Sequence, residues 1–429
     1  MVSRKNIFVI GMDEANLRVL REVPHAEDYA FHPLLDVEEL QVGEVSVPDL
    51  LEKARAQLDA FDGSIDAVVG YWDFPVSTIV PILAGQYGLR SSSLESIVKC
   101  EHKYWSRLEQ QKVIKEHPRF DLVSLVEDDP RPPEGMSFPM WLKPVKSFSS
   151  ELAFGVDDKK EFTEAVDKIR EGISRVGRPF EFILEQLDLP REIEEAGGQA
   201  CLAEESLTGV QAAVEGYVFE GKVTVYGALD SINYPDSSSF MRHQYPSALP
   251  EPVQLRLKDV SKRVIEQVGI DNATFSIEYF YDAQTDAINL LEINPRHSQS
   301  HAELFEYVDG VSNHHCMVSL ALGEDPNLLP KHGKYAVAAK WYHRWFADGI
   351  VRRVPTPEEI AQVEHDIPGV KIEVVPEQGQ LLSDSPGQDS YSYELAHLFV
   401  GADSEDEMRE KHDRALAALR FEVEDPAAG

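Results

Sequence analysis

The first ninety residues alternate between short apolar runs and stretches with apolar residues at helical spacing. Residues 7–10 and 66–71 are strand-like, and they lead into helical patterns at 16–22 and 77–87. This alternation predicts a small parallel sheet with helices on its faces. Gly11 follows the first run without the GxGxxG spacing of dinucleotide-binding loops, so nothing here indicates such a site.

The rest of the chain continues as a mixture of helices and strands. Helical spacing predicts helices over residues 97–111, 157–173, 255–268 and 404–419. Apolar and β-branched runs predict strands over residues 140–145, 201–206, 210–219, 223–229, 275–281 and 287–294. Because 429 residues exceed one ordinary core, we expect two or three domains of α/β and α+β character.

Charge and cysteine content narrow the function classes. The chain has 41 Lys and Arg against 75 Asp and Glu, a net charge of −34. Such a surface repels phosphate backbones and anionic lipid, so we expect no nucleic acid and no membrane partner. A solubilising acidic coat and attraction of cationic substrates both remain open. Three scattered cysteines, and no apolar run long enough for a leader or a membrane span, indicate a cytoplasmic protein with reduced thiols.

Two strands form a predicted hairpin that carries two glutamates. Its expected pairs are Asp282 with Ile288, Phe280 with Leu290, and Glu278 with Glu292. Directly opposed carboxylates repel, and a shared divalent cation removes that repulsion. Asn294 lies on the same face as Glu292 because the side-chain period is two. Two carboxylates and an amide oxygen suit Mg²⁺, and Arg296, two residues further, adds a cation suited to phosphate.

The pairing of this hairpin has an alternative. A slip of one residue puts Glu278 and Glu292 on opposite faces, and Glu278 is then an ordinary exposed strand residue. The hydrophobic pattern alone leaves both registers open.

Glu278, followed after thirteen residues by Glu292-Ile-Asn-Pro-Arg296, resembles the metal-binding hairpin of the ATP-grasp superfamily. The resemblance implies that Glu278, Glu292 and Asn294 hold Mg²⁺, or Mn²⁺ in its place, on ATP, and that Arg296 positions the phosphate or acyl phosphate. It also implies a three-domain ATP-grasp fold. The expected parts are a Rossmann-like β-α domain at 1–112, a two-lobed ATP-grasp domain at 113–330 with its hinge near 204–207, and an α+β domain at 331–429.

Before the hairpin, the chain also carries weaker matches to the other ATP-binding elements of this family, and they occur in the family's order. The resemblance implies that Lys103 and Lys143 contact ATP, with Lys143 reaching the α- and β-phosphates and acting with Arg296 in catalysis. For adenine and ribose, it implies the side chain of Glu204, the main chain of Glu205 and Leu207, and Gln211. The chain departs from the family in two places. Serines replace the usual glycines of the phosphate loop at 146–152, and Gln211 stands where a glutamate is common.

Candidate substrate residues lie in two segments. Arg242 and His243 belong to an apparent insert at residues 231–246, and His297 and Ser298 follow the arginine of the hairpin. His297 and His301 are four residues apart and could share a helical face as metal ligands, but the sequence places no third ligand. A substrate-facing or hydrogen-bonded role is therefore favoured for these histidines.

The resemblance implies a reaction in which ATP phosphorylates a carboxylate and a nucleophile attacks the acyl phosphate. Residues 348–351, 367–370 and 391–402 look like the C-terminal region of L-amino acid ligases and their biotin carboxylase relatives, which favours joining a small carboxylate to an amine. A biotin-carboxylase-like reaction and a non-catalytic nucleotide-binding protein remain alternatives. The family resemblance is also compatible with a homodimer.

Overall fold

The computed structural model describes residues 4–41, 43, 45–147, 151–328, 332–384 and 392–424. The centre of the predicted phosphate loop, residues 148–150, lies outside this set. Within the described ranges, no helix is both long enough and apolar enough to cross a membrane.

The N-terminal part folds as the predicted small parallel sheet. Its strands are β1 (Lys5–Ile10), β2 (Tyr29–Leu34) and β3 (Ala67–Val69), in the order β2-β1-β3. The accompanying helices are α1 (Glu14–Leu20), α2 (Val37–Gln41), α3 (Val47–Asp59), α4 (Val76–Tyr87), α5 (Leu94–Glu101) and α6 (Lys103–Gln110). Phe8 and Ile10 pack into one core while Ile7 and Val9 pack into another, so both faces of β1 are covered.

A four-stranded antiparallel sheet follows. Its members are β4 (Phe120–Val123), β5 (Met140–Pro144), β6 (Phe154–Val156) and β7 (Cys201–Glu205), in the order β4-β7-β5-β6. The helices of this lobe are α7 (Lys159–Gly172), α8 (Ser174–Leu184) and α9 (Arg191–Ala196). The predicted apolar stripe Phe162, Val166 and Ile169 on α7 is buried against this sheet. Burial of that stripe fixes β5 and β7, the two central strands of the lobe.

The largest element is an eight-stranded antiparallel sheet with the order β12-β11-β8-β9-β10-β13-β16-β15. Its strands are β8 (Val210–Phe219), β9 (Lys222–Asn233), β10 (Phe240–Tyr245), β11 (Ala273–Asp282), β12 (Ala287–Asn294), β13 (Val337–Trp345), β15 (Val370–Val374) and β16 (Tyr393–Ala402); β14 (Ile350–Arg353) pairs separately with β17 (Glu422–Glu424). The remaining helices are α10 (Glu251–Val268), α11 (Ala302–Asp309), α12 (His314–Leu322), α13 (Pro357–Asp366) and α14 (Glu405–Ala418).

The three-part α/β and α+β layout is confirmed, but the apparent insert at 231–246 is wrong. Residues of that segment belong to β9 and β10, which lie in the middle of the large sheet. β10 pairs with β13, so one sheet runs across the expected boundary at residue 330. The domain boundaries themselves stay a prediction. The strand was missed because Arg242, His243 and Gln244 interrupt the apolar pattern that marks buried strands.

The helix predicted over residues 97–111 is wrong in one respect, because it is divided into α5 and α6 at His102. The His102 backbone is extended, and its Nδ1 accepts a hydrogen bond from the Trp105 amide at 3.2 Å. Histidine is not among the usual N-cap residues, so no residue type at this position predicts the break. The break makes Lys103 the first residue of α6. The three cysteines are free and buried, as predicted for reduced core thiols.

Candidate active site

The hairpin of β11 and β12 brings two glutamates face to face. Glu278 is directly opposite Glu292, which is the register that the paired-carboxylate interpretation requires. A bulge at Leu291 lies between this pair and the turn. Asn294 is on the same strand as Glu292, and its amide nitrogen donates to Glu278 Oε1 at 3.3 Å. The two carboxylates and the Asn294 amide therefore form one group.

Two other pairs predicted for this hairpin are wrong: Phe280 with Leu290, and Asp282 with Ile288. Asp282 faces Ala287, so the register near the turn is offset by one residue from the prediction. The extra residue in the bulge at Leu291 removes this offset before the glutamates are reached. Arg107 bonds the carbonyls of Leu290 and Leu291 at 3.0 and 2.6 Å, which holds the bulge in place.

Burial and neighbouring charges shift the pKa values of the two glutamates in opposite directions. Burial and the charge of Glu292 raise the pKa of Glu278 to about 7. Burial also opposes ionisation of Glu292, but Lys103 and Lys143 hold the pKa of that carboxyl below its usual range. Gln211 donates to Glu278 Oε2 at 2.8 Å, so the predicted ribose residue lies beside the metal candidates. This donor set of carboxylate and amide oxygens fits a hard divalent cation.

Lys103 is positioned by the start of α6. Its backbone N–H donates to Val145 O at 2.8 Å, and its Nζ donates to Glu292 Oε1 at 2.7 Å and to Ser147 O at 2.9 Å. The ammonium thus links the hairpin to the residues that begin the predicted phosphate loop. In the same segment Lys146 forms a buried ion pair with Glu101.

Glu204 on β7 joins two buried cations. Its Oε2 is 2.7 Å from Lys143 Nζ, and its Oε1 accepts from Arg107 Nε at 2.6 Å. Burial opposes its charge, yet Arg107 and Lys143 together lower the pKa of Glu204 to about 2. Glu204 therefore orients Lys143 in this structure. Glu205 is the last residue of β7, where its N–H donates to Arg119 O at 2.9 Å, and Leu207 lies two residues beyond it.

Arg296 meets an unexpected partner in the N-terminal part. Its Nε and Nη2 donate to the two carboxylate oxygens of Asp73 at 2.9 and 2.7 Å. A bidentate pair of this kind fixes the plane of the guanidinium. Arg296 is thus held at the junction of the N-terminal part and the hairpin.

The segment after Arg296 is organised by Glu215, a fully buried carboxylate on β8. Glu215 accepts hydrogen bonds from the Ser298 amide at 3.1 Å and from Asn313 Nδ2 at 2.9 Å. It also accepts from Tyr226 OH at 2.8 Å, and His301 Nδ1 lies 2.7 Å away. Four contacts on one carboxylate fix the path of residues 298–301.

His297 belongs to a buried hydrogen-bonded series instead of a metal pair with His301. Its Nδ1 is 3.1 Å from Thr274 Oγ1, and its Nε2 is 2.8 Å from His314 Nδ1. His314 Nε2 in turn lies 3.0 Å from Asn16 Oδ1 in α1. The hypothesis that His297 and His301 share a helical face is wrong, because His297 precedes the short 3₁₀ helix Gln299–His301. Burial lowers the pKa of His297 well below its ordinary value, so the ring is neutral.

The two candidates on β10 point to opposite faces, as adjacent strand residues must. Arg242 is buried, bonds Glu405 of α14 at 3.1 Å and lies over the Trp341 ring at 5.2 Å. His243 lies 3.1 Å from Ser231 Oγ and its ring is 4.8 Å from that of His301. The structure therefore groups His243 with the segment after Arg296, and it places Arg242 against the C-terminal helix.

Several charged residues around this site were not predicted: Asp73, Glu101, Arg107, Glu215 and Lys340. For two of them the sequence carried a signal. Glu215 and Lys340 each interrupt a strongly apolar strand, within Ala212–Val218 and Val337–Tyr342. Charged residues are almost never fully buried unless they are paired. A charged residue within an apolar strand therefore indicates a specific polar interaction in the folded protein.

Residues 136–302 match the sequence model of the ATP-grasp domain. This part of the chain is an ATP-grasp domain. No functionally curated protein sequence matches the chain. Among solved structures, the L-amino acid ligase from Bacillus licheniformis is similar with a TM-score of 0.73 at 16% identity, covering 99% of this chain and 100% of that one.

Two further solved structures share this ATP-grasp fold over nearly the whole chain. Biotin carboxylase from Campylobacter jejuni, a β-γ-ATP complex, has a TM-score of 0.67 at 15% identity, with 98% and 93% coverage. N5-carboxyaminoimidazole ribonucleotide synthetase from Thermotoga maritima has a TM-score of 0.62 at 16% identity, with 98% and 100% coverage. The paired glutamates, the two lysines and Arg296 all lie in or beside the matched domain.

Proposed function

We propose that this protein is an ATP-dependent carboxylate–amine ligase. The observation that carries the proposal is the pairing of Glu278 with Glu292 in the hairpin, with Asn294 on the same face and Lys103 bonded to Glu292. A polar cluster of this composition suits magnesium-bound ATP, and the similarity to an L-amino acid ligase along the whole chain favours amide formation.

In the proposed reaction the γ-phosphoryl group of ATP passes to a substrate carboxylate oxygen, giving an acyl phosphate and ADP. An amine nitrogen then attacks the carbonyl carbon, phosphate leaves, and the nitrogen loses a proton. Glu278, Glu292 and Asn294 would hold Mg²⁺ or Mn²⁺, which supplies charge neutralisation for the phosphates. No nucleophilic side chain of the protein is required.

The cations of the site have defined tasks in this scheme. Lys103 and Lys143 neutralise the ATP phosphates, and Arg296 orients the group being transferred. Each of these side chains is bonded to a carboxylate: Glu292, Glu204 and Asp73 respectively. These ion pairs keep the cations ordered, so that little reorganisation is needed when phosphate oxygens arrive.

Phosphate release across a matrix of carboxylates and amines tests the proposal. Release that requires one carboxylate together with one amine supports the ligase. Release that depends on bicarbonate indicates the biotin-carboxylase-like alternative. ATP binding without release from any combination indicates a non-catalytic protein, and it contradicts the proposal.

The metal assignment has its own test in Glu292→Gln. We expect this variant to lose about 100-fold in kcat/KM, the scale of removing one preorganised electrostatic contact. The matched control is Glu266→Gln, an exposed glutamate on α10, which should keep full turnover. Full turnover by the Glu292 variant would contradict the role of this carboxylate in holding the metal.

A further inference from the structure

The guanidinium of Arg296 has a second support besides Asp73. Its Nη1 donates to the backbone carbonyl of His297 at 3.1 Å, whereas Nε and Nη2 are bonded to Asp73. All three nitrogens of the guanidinium therefore have an acceptor. The position of the group depends on where the His297 carbonyl lies as well as on Asp73.

His297 is held at its backbone and at both nitrogens of its ring. Its backbone N–H donates to Thr274 Oγ1 at 3.0 Å, and the same oxygen lies 3.1 Å from the ring Nδ1. The ring Nε2 lies 2.8 Å from His314 Nδ1. All three residues are buried, so water does not replace these bonds. A shift of the His297 carbonyl therefore breaks at least one of them.

The proton positions in this series follow from Asp13, the N-cap residue of α1. Asn16 Nδ2 donates to Asp13 Oδ2 at 2.7 Å, which leaves Asn16 Oδ1 as an acceptor. His314 Nε2 lies 3.0 Å from that oxygen and therefore carries a proton. Burial lowers the pKa of His314 to about 4, so the ring is neutral near pH 7 and its Nδ1 is an acceptor.

The same reasoning fixes the protons of His297. Its Nε2 donates to His314 Nδ1, and because this ring is also neutral, its Nδ1 accepts from the Thr274 hydroxyl. Thr274, His297, His314, Asn16 and Asp13 thus form one series, here called the histidine chain. Every hydrogen bond between side chains in it points from Thr274 towards Asp13.

Both supports of Arg296 lead to one edge of the N-terminal sheet. Asp13 follows β1 and Asp73 follows β3, and these two parallel strands are neighbours. Tyr71 OH donates to Asp13 Oδ2 at 3.0 Å, which joins the two loops. The N-terminal part therefore holds Arg296 directly through Asp73 and indirectly through the histidine chain.

We propose that His297 and His314 are positioning residues for Arg296, and that the histidine chain keeps the guanidinium where it contacts the group being transferred. Neutral rings suit this task, because a charged ring beside the guanidinium would repel it. The chain is a property of the protein by itself, whereas its effect on the reaction rests on the proposed ligase function.

Nitrogen-15 NMR tests the chain without any substrate. In protein labelled at histidine, we expect both rings to carry their proton on Nε2, with signals assigned by His297→Asn and His314→Gln. In protein labelled at arginine, the Nη1 protons of Arg296 should exchange with water more slowly in wild type than in Thr274→Val, which removes the hydroxyl but keeps the side-chain shape. A proton on Nδ1 of either ring, or equal exchange in the two proteins, would overturn the proposal.

Kinetics of phosphate release test the positioning role once an active substrate pair is found. We expect Thr274→Val to lower kcat by about 10-fold, the scale of one buried hydrogen bond, and to leave the KM for ATP unchanged. Arg296 acts on the transferring group, whereas the two lysines of the site bind ATP. Thr274→Ser should restore most of the lost kcat, because it restores the hydroxyl.

His314→Gln tests the other end of His297. A glutamine amide can still donate to Asn16 but is not placed to accept from His297, so we expect a similar loss of kcat. The matched control is His315→Gln, because His315 is the next residue of α12 and its ring bonds Pro326 O at 3.0 Å, outside the chain. An equal loss of kcat in both glutamine variants would contradict the positioning role.

The two proposals fail in different ways. Active ligation with kcat unchanged in Thr274→Val and His314→Gln would overturn the positioning role and leave the ligase function intact. The expected NMR results in a protein that turns over no substrate pair would instead retain the hold of the chain on Arg296 and contradict the ligase function.

Discussion

At the residue scale, Glu204 is a buried carboxylate whose charge balances two buried cations. It bonds both Arg107 and Lys143, and all three side chains are almost fully buried. Replacing it by Gln removes the only negative charge of the trio and leaves two buried cations facing a neutral amide. We expect Glu204→Gln to lower the free energy of unfolding by about 3–5 kcal/mol, the usual scale for breaking a buried ion pair from one side. Urea denaturation at neutral pH measures it.

The pH dependence of that loss follows from the same contacts. Burial opposes the charge, but Arg107 and Lys143 lower the pKa of Glu204 from 4.5 to about 2. A carboxyl with a depressed native pKa stabilises the fold above its unfolded pKa and loses this contribution as the pH falls towards the native value. The stability gap between wild type and Glu204→Gln should therefore narrow below about pH 4.5. A gap that stays constant with pH would contradict the ion-pair interpretation, and Glu205→Gln on the exposed face provides the control.

At the scale of elements, the hairpin shows what sequence can and cannot predict. The period of two placed Glu292 and Asn294 on one face, and the opposition of Glu278 and Glu292 was also predicted. The turn was predicted with the wrong register, and the bulge at Leu291 compensates for that error. The bulge depends on Arg107, which bonds two of its carbonyls from a helix far away in sequence. No local pattern encodes such a contact.

The break between α5 and α6 is a second element that sequence did not predict, and it positions Lys103. The ring of His102 caps α6 through the Trp105 amide and lies 3.0 Å from Gly197 O with its other nitrogen. We expect His102→Ala to lower the free energy of unfolding by about 1–2 kcal/mol and to raise the KM for ATP, because the cap and the start of α6 are loosened.

Thermal unfolding and phosphate-release kinetics measure the two effects. His102→Asn is the matched control, since its side chain can still cap the helix but is too short to replace the contact with Gly197. We expect it to recover the cap contribution and most of the ATP affinity. An unchanged KM in His102→Ala would show that the break does not position Lys103.

At the scale of the whole molecule, the contacts that join its parts connect residues hundreds of positions apart. Arg18 of α1 bonds Glu373 of β15 at 2.9 Å, and Arg296 bonds Asp73 of the N-terminal part. The sequence predicted the three parts from their local periodicities. It could not predict these ion pairs, because no periodicity relates residues in different elements.

The overall charge leads to a prediction for the complete molecule. With 41 Lys and Arg against 75 Asp and Glu, a net charge of −34, acidic groups repel one another across the surface. Raising NaCl from about 0.01 M to about 0.15 M shortens the screening length from about 30 Å to about 8 Å. We expect the melting temperature to rise by about 2–4 °C, which corresponds to about 1 kcal/mol for a domain of ordinary size. Loss of screened surface ion pairs acts in the opposite direction, but each such pair contributes little.

A charge-reduced variant tests whether repulsion is the cause of this salt effect. Glu171, Glu266 and Glu410 are exposed helix-region residues, and replacing all three by Gln changes the net charge from −34 to −31 without altering a buried contact. If repulsion limits stability, this variant should melt at a higher temperature in low salt and respond less to added NaCl. A melting temperature that falls with salt in the wild-type protein would show that ion pairs between elements outweigh the net charge. The direction of the salt response therefore shows whether repulsion between acidic groups or attraction within ion pairs has the larger effect on the stability of the fold.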